Sequence, residues 1–368
     1  MSYKIAIDAR IINSSTGTYV ERLLHYLQEI DKANDYIVLV RAKDKDFWKP
    51  SGDNFTVKVA EYDNYSFNEQ IGFLHFLNKL KPDLVHFCMP QQPILYKGAH
   101  VTTVHDLTLL KIYNTDKNWL IFNIKQLVGK FVFKHVIQTS RYVLTVSKFS
   151  KSEIMKRYKV RTEKVAVTPL AADVNIDKLA PYEHDFKEYI LYVGQQSDYK
   201  NIRRLGDAHQ KLLETHPNLG LILVGSIKGG ALNNKKYFED RGYKNIEFTG
   251  FLPDPQRDWL YKNAAAYIFP SLMEGFGLPG LEAMGYGAPV ISSNATCLPE
   301  VYGDAALYFD PLDVDQMAKS IDSVISDEKM RQDMIKRGYK RFSEYSWKRT
   351  AKQTRSVYID AIRNYVIY

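Results

Sequence analysis

The chain has 368 residues, with 50 Lys+Arg against 42 Asp+Glu for a net charge of +8; 45% of residues are hydrophobic and 25% charged. That mixture excludes wholesale disorder, and the length suits two domains. No apolar run reaches the roughly 18 residues needed to span a membrane, no signal peptide is visible, and the cations are scattered without a block of five or six, which argues against nucleic acid as a partner.

From the N-terminus, short apolar and β-branched runs recur between stretches of helical period. In the first half they are KIAIDA (4–9), YIVLVR (36–41), VKVAEY (57–62), LVHF (84–87), HVTTVH (100–105), YVLTVS (142–147) and KVAVTP (164–169). In the second half they are YILYVG (189–194), LGLILVG (219–225), IEFTGF (246–251), AYIFPS (266–271), PVISSN (289–294) and ALYFDP (306–311). Most are apolar on both faces, as a parallel sheet covered by helices on both sides requires. Strand–helix alternation of this kind predicts α/β architecture with two doubly wound, Rossmann-like domains, 1–175 and 185–345. The stretch 171–188 is polar, contains Pro181 and lacks a period, so it reads as a linker. The segment 346–368 reads as one C-terminal helix, with Ser346 as N-cap and Trp347 as anchor, able to pack back on the first domain. Two such domains facing each other leave a cleft beside the carboxyl ends of their strands, where ligands of open α/β sheets bind.

The two cysteines, Cys88 and Cys297, lie far apart, which suits a reducing, cytoplasmic setting better than a disulfide framework. The histidines form no H-E-x-x-H and meet no Cys-x-x-Cys, so no metal site is expected.

The run SLMEGFGLPGLEAMGYGAPVI (271–291) carries the most chemistry. Gly275 and Gly277 let the backbone approach a ligand with its amides exposed, and Pro279 suits the first turn of a helix. The start of that helix is an anion site by geometry and dipole. Glu274 precedes the loop and Glu282 follows it on the helix, so both can line one pocket, and carboxylates accept hydrogen bonds from sugar hydroxyls. Two look-alikes lie nearby. GFGLPG (275–280) matches a dinucleotide fingerprint formally, but it follows three other strands of its half and Pro279 interrupts it. Asp313-Val314-Asp315 imitates a metal-binding Asp-x-Asp, yet its setting is that of a helix N-cap.

EGFGLPGLEAM, followed by GAPVI, LPEV and the GDAAL…FDP stretch, resembles the signature region of family-4 glycosyltransferases, retaining and nucleotide-sugar-dependent enzymes of the GT-B fold. IDAR near the N-terminus, TVHDL (103–107), TVSKFS (145–150), YVG…YKN (192–201) and TGFLPD (249–254) extend the resemblance over most of the chain, in the family's order. It implies a GT-B enzyme that moves a hexose, mannose-like by the motif combination, from a GDP- or UDP-linked donor to a glycan or lipid-linked acceptor in surface polysaccharide assembly. No cofactor or metal is implied, because lysine and helix amides can do the electrostatic work.

The resemblance also implies roles. Glu274 takes the place of the glutamate that contacts the transferred sugar, and Glu282 that of the ribose-binding glutamate. Backbone amides of Gly275, Phe276, Gly277 and Leu278 would hold sugar and phosphate oxygens. Lys200 would neutralise the diphosphate, and His105 would stand beside the reacting sugar, with Asp106 capping the turn that follows. The loop 13–20, with Gly17, Ser15 and Thr16, would line the donor and acceptor site; a plain strand–helix turn explains it too. The chain departs from the family at Gln195 and Tyr199, where many members carry a phosphate-binding arginine; Arg203 and Arg204 could substitute or simply face solvent. Phe251 or Leu252 could meet the base. The segment 116–135 sets Trp119, Phe122, Phe131 and Phe133 among Lys117, Lys125, Lys130 and Lys134, which suits a helix on an anionic membrane and equally a half-buried core helix. Two other functions remain open: a non-catalytic nucleotide-sugar or glycan binder on the same fold, and a nucleotide-dependent oxidoreductase using GFGLPG.

Overall fold

Among the described residues thirteen strands form at or beside the apolar runs. The computed structural model describes residues 2–14, 16–64, 66–108 and 119–363, with backbone alone for 119–126. The chain divides into two units, the first comprising 1–170 and 346–368 and the second 171–345.

The first unit holds β1 (Lys4–Asp8), β2 (Asp35–Val40), β3 (Phe55–Val59), β4 (Leu84–Phe87), β5 (His100–Thr103), β6 (Tyr142–Thr145) and β7 (Val165–Val167). They pair in the order β3-β2-β1-β4-β5-β6-β7, all parallel. Its helices are α1 (Gly17–Ile30), α2 (Leu74–Leu80), α3 (Trp119–Thr139) and α4 (Lys148–Tyr158). Every residue of β4 and β5 is buried, as expected for central strands covered on both faces. One core layer joins Phe133 and Ile137 of α3 and Ile154 of α4 to Val143 and Val165 of the sheet.

The second unit holds β8 (Glu188–Val193), β9 (Leu219–Val224), β10 (Ile246–Gly250), β11 (Ala266–Phe269), β12 (Val290–Ser293) and β13 (Ala306–Phe309), in the order β10-β9-β8-β11-β12-β13. Its helices are α5 (Ile202–Leu212), α6 (Gly230–Glu239), α7 (Asp254–Asn263), α8 (Leu278–Tyr286), α9 (Leu298–Tyr302), α10 (Val314–Ser326) and α11 (Glu328–Ser343). In each unit the strand order reverses beside the first strand, between β1 and β4 and between β8 and β11. Loops leaving the carboxyl ends of such neighbours diverge and leave a crevice for ligand.

The last helix, α12 (Trp347–Arg363), packs against α1 of the first unit. Trp347 is buried, Arg355 Nε donates to Asp31 Oδ2 at 2.8 Å, and the Tyr358 hydroxyl meets His86 Nδ1 at 2.6 Å.

The polar stretch read as a linker is instead a strap on the second unit. The Asn175 amide donates to the Tyr286 hydroxyl at 3.0 Å, the Ala180 amide to the Pro255 carbonyl at 3.0 Å, and the Tyr182 hydroxyl to Glu247 at 2.6 Å. These bonds run through backbone and polar groups, and the strap's apolar contacts, Val174 against Gly285 and Phe186 against Gly220, are spaced without a period for sequence patterning to detect. Asp313 caps α10 by accepting from the Gln316 amide at 2.9 Å, and Asp315 pairs with Lys211, so the Asp-x-Asp look-alike is a helix start. Among the described residues no helix is long and apolar enough to cross a membrane.

Candidate functional site

In the second unit, the loops after β8 and β11 flank the strand-order reversal. The first carries Lys200 on a short 3-10 turn, Asp198–Lys200. The second carries Glu274 and runs into α8. The two side chains meet, with Lys200 Nζ donating to Glu274 Oε1 at 2.5 Å, although 74 positions separate them. Both are largely sheltered, at 14% and 13% exposure. Burial opposes charge on the ammonium, but the Glu274 carboxylate, with Tyr192 and Tyr199, outweighs it and holds Lys200 above its ordinary pKa. The ammonium also lies 5.1 Å from the Tyr199 ring and 5.6 Å from the Phe269 ring.

The Glu274 main chain is clamped from one side. Its amide donates to Thr296 Oγ1 at 3.1 Å, and the Cys297 thiol donates to its carbonyl at 3.3 Å. Cys297 and Cys88 are both buried, free thiols.

Gly277 is the N-cap of α8, at φ +100°. Its carbonyl accepts from the Tyr302 hydroxyl at 2.5 Å. A Cβ there would lie 2.5 Å from that hydroxyl, and one at Gly280 only 2.3 Å from it. Both glycines therefore answer to close packing as well as to backbone freedom. In the first turn of α8 Pro279 has no amide hydrogen and the Gly280 amide donates to the Gly277 carbonyl at 3.2 Å; Leu278 follows Glu274 by four positions. Phe276 can offer only its backbone to a ligand, because its ring is buried against Tyr345, 5.6 Å away.

Glu282 lies on α8 in a separate polar cluster. Its Oε2 accepts from the Tyr261 hydroxyl at 3.1 Å. Burial raises its pKa; the nearby Arg257 guanidinium and the Tyr261 bond oppose this without cancelling it. Arg257 is held in turn by Asp254 at 2.8 Å and Asp258 at 2.7 Å. Lys200 and Glu274 are thus brought together, and Glu282 makes its hydrogen bond to Tyr261.

Neither candidate substitute for the absent arginine is idle. Arg203 Nε donates to Asn234 Oδ1 at 3.3 Å, and Arg204 donates to Asn201 Oδ1 at 2.9 Å. Gln195 is exposed, with its carbonyl accepting from the Tyr192 hydroxyl at 2.6 Å. The structure separates the two candidates for base contact. Leu252 is 9% exposed and belongs to the core, while Phe251 is 83% exposed beside Gly250 at φ +74°.

In the first unit, His105 follows β5. Its Nε2 lies 3.3 Å from the Cys88 carbonyl, and its ring meets Tyr19 edge-on at 4.8 Å. Burial lowers its pKa, with Asp106 and the Cys88 bond opposing, so the ring is neutral near pH 7. A carbonyl can only accept, so Nε2 bears the proton and Nδ1 is left as an acceptor. Asp106 accepts from the Thr108 amide at 2.7 Å, as a turn cap does. Gly17 opens α1 with a firm packing reason for its identity: a Cβ would lie 1.8 Å from the Ile12 carbonyl oxygen. Ser15 and Lys117 lie outside the described residues, as do the side chains of Trp119, Phe122 and Lys125.

Sequence reasoning missed Thr296, Cys297, Tyr261, Arg257, Tyr302 and Tyr19. Arg257 and Tyr261 stand four apart on α7, and that spacing could have marked a shared face. Thr296 and Cys297 lie in a turn whose relation to Glu274 exists only in three dimensions.

The family model described as "Glycosyl transferases group 1" matches residues 177–341, and that described as "Glycosyltransferase Family 4" matches 16–176. The chain belongs to the group 1, family-4 glycosyltransferases. This glycosyltransferase chain is similar to O-antigen chain mannosyltransferase B of Escherichia coli, 36% identical over 234 residues that make up 60% of this chain and 61% of that protein. It is also similar to O-antigen chain mannosyltransferase RfbU of Salmonella typhimurium, 30% identical over 68% of this chain and 66% of the relative. The matched stretch thus spans about three fifths of the Escherichia coli relative's length. The fold is GT-B. Its structural neighbours include sucrose-phosphate synthase of Thermosynechococcus elongatus, with a TM-score of 0.76 at 18% identity, covering 97% of this chain and 98% of the other. Another is Anabaena HepE in complex with UDP and glucose, with a TM-score of 0.70 at 15% identity, covering 98% and 100%. In this glycosyltransferase GFGLPG follows β11, the fourth strand of its unit, and Gly277 within it serves as a helix cap, so the oxidoreductase reading is set aside.

Proposed function

We propose that this chain is a retaining hexosyltransferase that moves a sugar, mannose by the names of its relatives, from a GDP- or UDP-linked donor to a hydroxyl of a glycan or lipid-linked acceptor in polysaccharide assembly. The observation that carries the reading is the Lys200–Glu274 pair set beside the N-terminus of α8. A diphosphate placed there would meet one ammonium group and the positive end of a helix, both oriented before the ligand arrives. The second unit then serves the donor. Lys200 and the amides of Gly275, Phe276, Gly277 and Leu278 take the phosphates, Glu274 the sugar hydroxyls, Glu282 the ribose, and exposed Phe251 offers a face to the base. The first unit serves the acceptor. His105 accepts a sugar hydroxyl at Nδ1, and the loop at Gly17 shapes the approach.

In the transfer, the acceptor oxygen attacks the anomeric carbon on the face from which the diphosphate departs. The carbon–oxygen bond to phosphate breaks with its electron pair going to the diphosphate, and the hydroxyl proton passes to a departing phosphate oxygen. Lys200 and the α8 amides stabilise the charge that develops, and the carboxylates hold the sugar in position.

The test has two stages. Thermal-shift screening against nucleoside diphosphates and their sugars should single out one base by raising the melting temperature. Transfer to a glycan acceptor should then fall by two to three orders of magnitude in Lys200→Ala and Glu274→Ala. Binding without transfer in the native chain would favour the non-catalytic binder, a reading that Gln195 and Tyr199 in place of arginine keep in view. We further propose a cytoplasmic location against an anionic membrane. Leu127, Val128 and Phe131 of α3 are 67%, 57% and 59% exposed, and Lys130 and Lys134 flank them. Co-sedimentation with anionic vesicles at low salt is the expected result; no binding there removes the membrane partner.

A further inference from the structure

Asparagine is among the best helix N-caps because its side-chain oxygen can accept from the second or third helical amide. Asn201 holds the N-cap position of α5 and makes no such bond. Its backbone is left-handed, at φ +62° and ψ +30°, where an N-cap is ordinarily extended. The side chain is turned elsewhere. It is 4% exposed, and Nδ2 donates to the Pro270 carbonyl at 3.1 Å and to the Pro311 carbonyl at 2.7 Å. Oδ1 accepts from Arg204 at 2.9 Å, which leaves the amide fully engaged.

Those carbonyls stand just beyond the ends of β11 and β13. One amide therefore joins the tips of two strands to the residue next to Lys200. On the other side of Lys200, the Tyr199 carbonyl accepts from the Leu272 amide at 2.8 Å. Lys200 is thus flanked by bonds to 270–272, the segment that leads to Glu274. We infer that Asn201 is a positioning residue for the Lys200–Glu274 pair, forgoing its cap on α5 to fix the ammonium against the carboxylate. The inference rests on the donor reading for its functional meaning.

Asn201→Gly separates this from a simple need for left-handed backbone, because glycine keeps the conformation and removes the amide. The first measurement needs no substrate. The protein is treated briefly with an acetylating reagent, and the rates at Lys200 and at exposed Lys235 are read by peptide mass spectrometry. In Asn201→Gly the Lys200 rate should rise about tenfold with Lys235 unchanged. The second is calorimetric binding of UDP and of GDP to wild type, Asn201→Gly, Lys200→Met and the double variant. Asn201→Gly should weaken binding about tenfold, and this loss should vanish on the Lys200→Met background.

An unchanged Lys200 rate in a folded Asn201→Gly protein overturns the inference, as does an equal loss of affinity with and without Lys200. If wild type binds neither nucleotide while the acetylation result stands, it is the donor reading that fails and not the positioning. Should Asn201→Gly not fold, Arg204→Ala takes its place, since it removes only the contact at Oδ1. A two- to threefold faster Lys200 rate is then expected, and no change overturns the inference.

Discussion

Replacing Gly277 with alanine tests the loop on which the donor reading depends. At φ +100° an alanine costs about 1–2 kcal/mol in backbone strain alone. Its Cβ would also lie 2.5 Å from Tyr302 Oη and 2.7 Å from Leu298 Cδ2. Both neighbours are fully buried and have nowhere to swing, and overpacking of this kind adds about 1–3 kcal/mol. The sum is about 2–5 kcal/mol. For a unit spanning 171–345 each kcal/mol lowers the melting temperature by about 2–4 °C, so the second unit should melt about 4–20 °C lower. Tyr302→Phe removes the nearer of the two atoms and should relieve Gly277→Ala by about 1 kcal/mol or more. Gly280→Ala is the internal control. Its Cβ would also meet Tyr302 Cζ at 2.4 Å and Cε1 at 2.8 Å, atoms that phenylalanine keeps, so it should gain no such relief. Differential scanning calorimetry of the five variants and wild type reads all of this. A Gly277→Ala protein that melts with wild type, or equal rescue of both glycines, would refute the packing argument.

Three further outcomes are expected. Lys200→Met should cost about 3 kcal/mol in urea unfolding, because it leaves a sheltered carboxylate unpaired, and adding Glu274→Gln should recover most of it; simple additivity would contradict the pairing. Glu282→Gln should weaken UDP or GDP binding about tenfold to a hundredfold by calorimetry and leave inorganic pyrophosphate binding unchanged, since the proposed contact is to ribose and not to phosphate. Acid should destabilise the first unit more steeply than the second. Burial holds His86 at about 3 and both His100 and His209 at about 4, so folding keeps these three neutral in mild acid, and burial lowers His105 as well. The unfolded chain protonates them below about pH 6.5, so their stabilising effect is complete above that pH and is lost below it, by roughly 1 kcal/mol per histidine per pH unit. Two of those three, and His105 with them, lie in the first unit, and equal acid slopes for the two units in calorimetry from pH 7 to 4.5 would contradict this.

Most strands were legible because parallel strands buried on both faces read as apolar runs, as LGLILV and LVHF show; β3, an edge strand largely open to solvent, lies two to three residues ahead of the run 57–62 read for it. The α8 signature was legible for a local reason: the Gly277 cap and Pro279 are requirements of neighbouring residues on one another. The stretch 171–188 was read as a linker and belongs to the second unit; hydrogen bonds to Tyr286, Pro255 and Glu247 impose no period on the residues that make them. Thr296 and Cys297 carry no local mark of the residue they hold.

Composition and periodicity therefore determined the layers, most strand positions and the glycine-capped start of α8, because burial and backbone conformation are written in adjacent residues. Only the tertiary structure decided that Lys200 meets Glu274, that Asn201 leaves its helix to join β11 and β13, that Leu252 is buried while Phe251 stands exposed, and that α12 closes on the first unit. Each is a contact between segments far apart in the chain, and sequence spacing says nothing about such a contact until the strand order has brought the segments together.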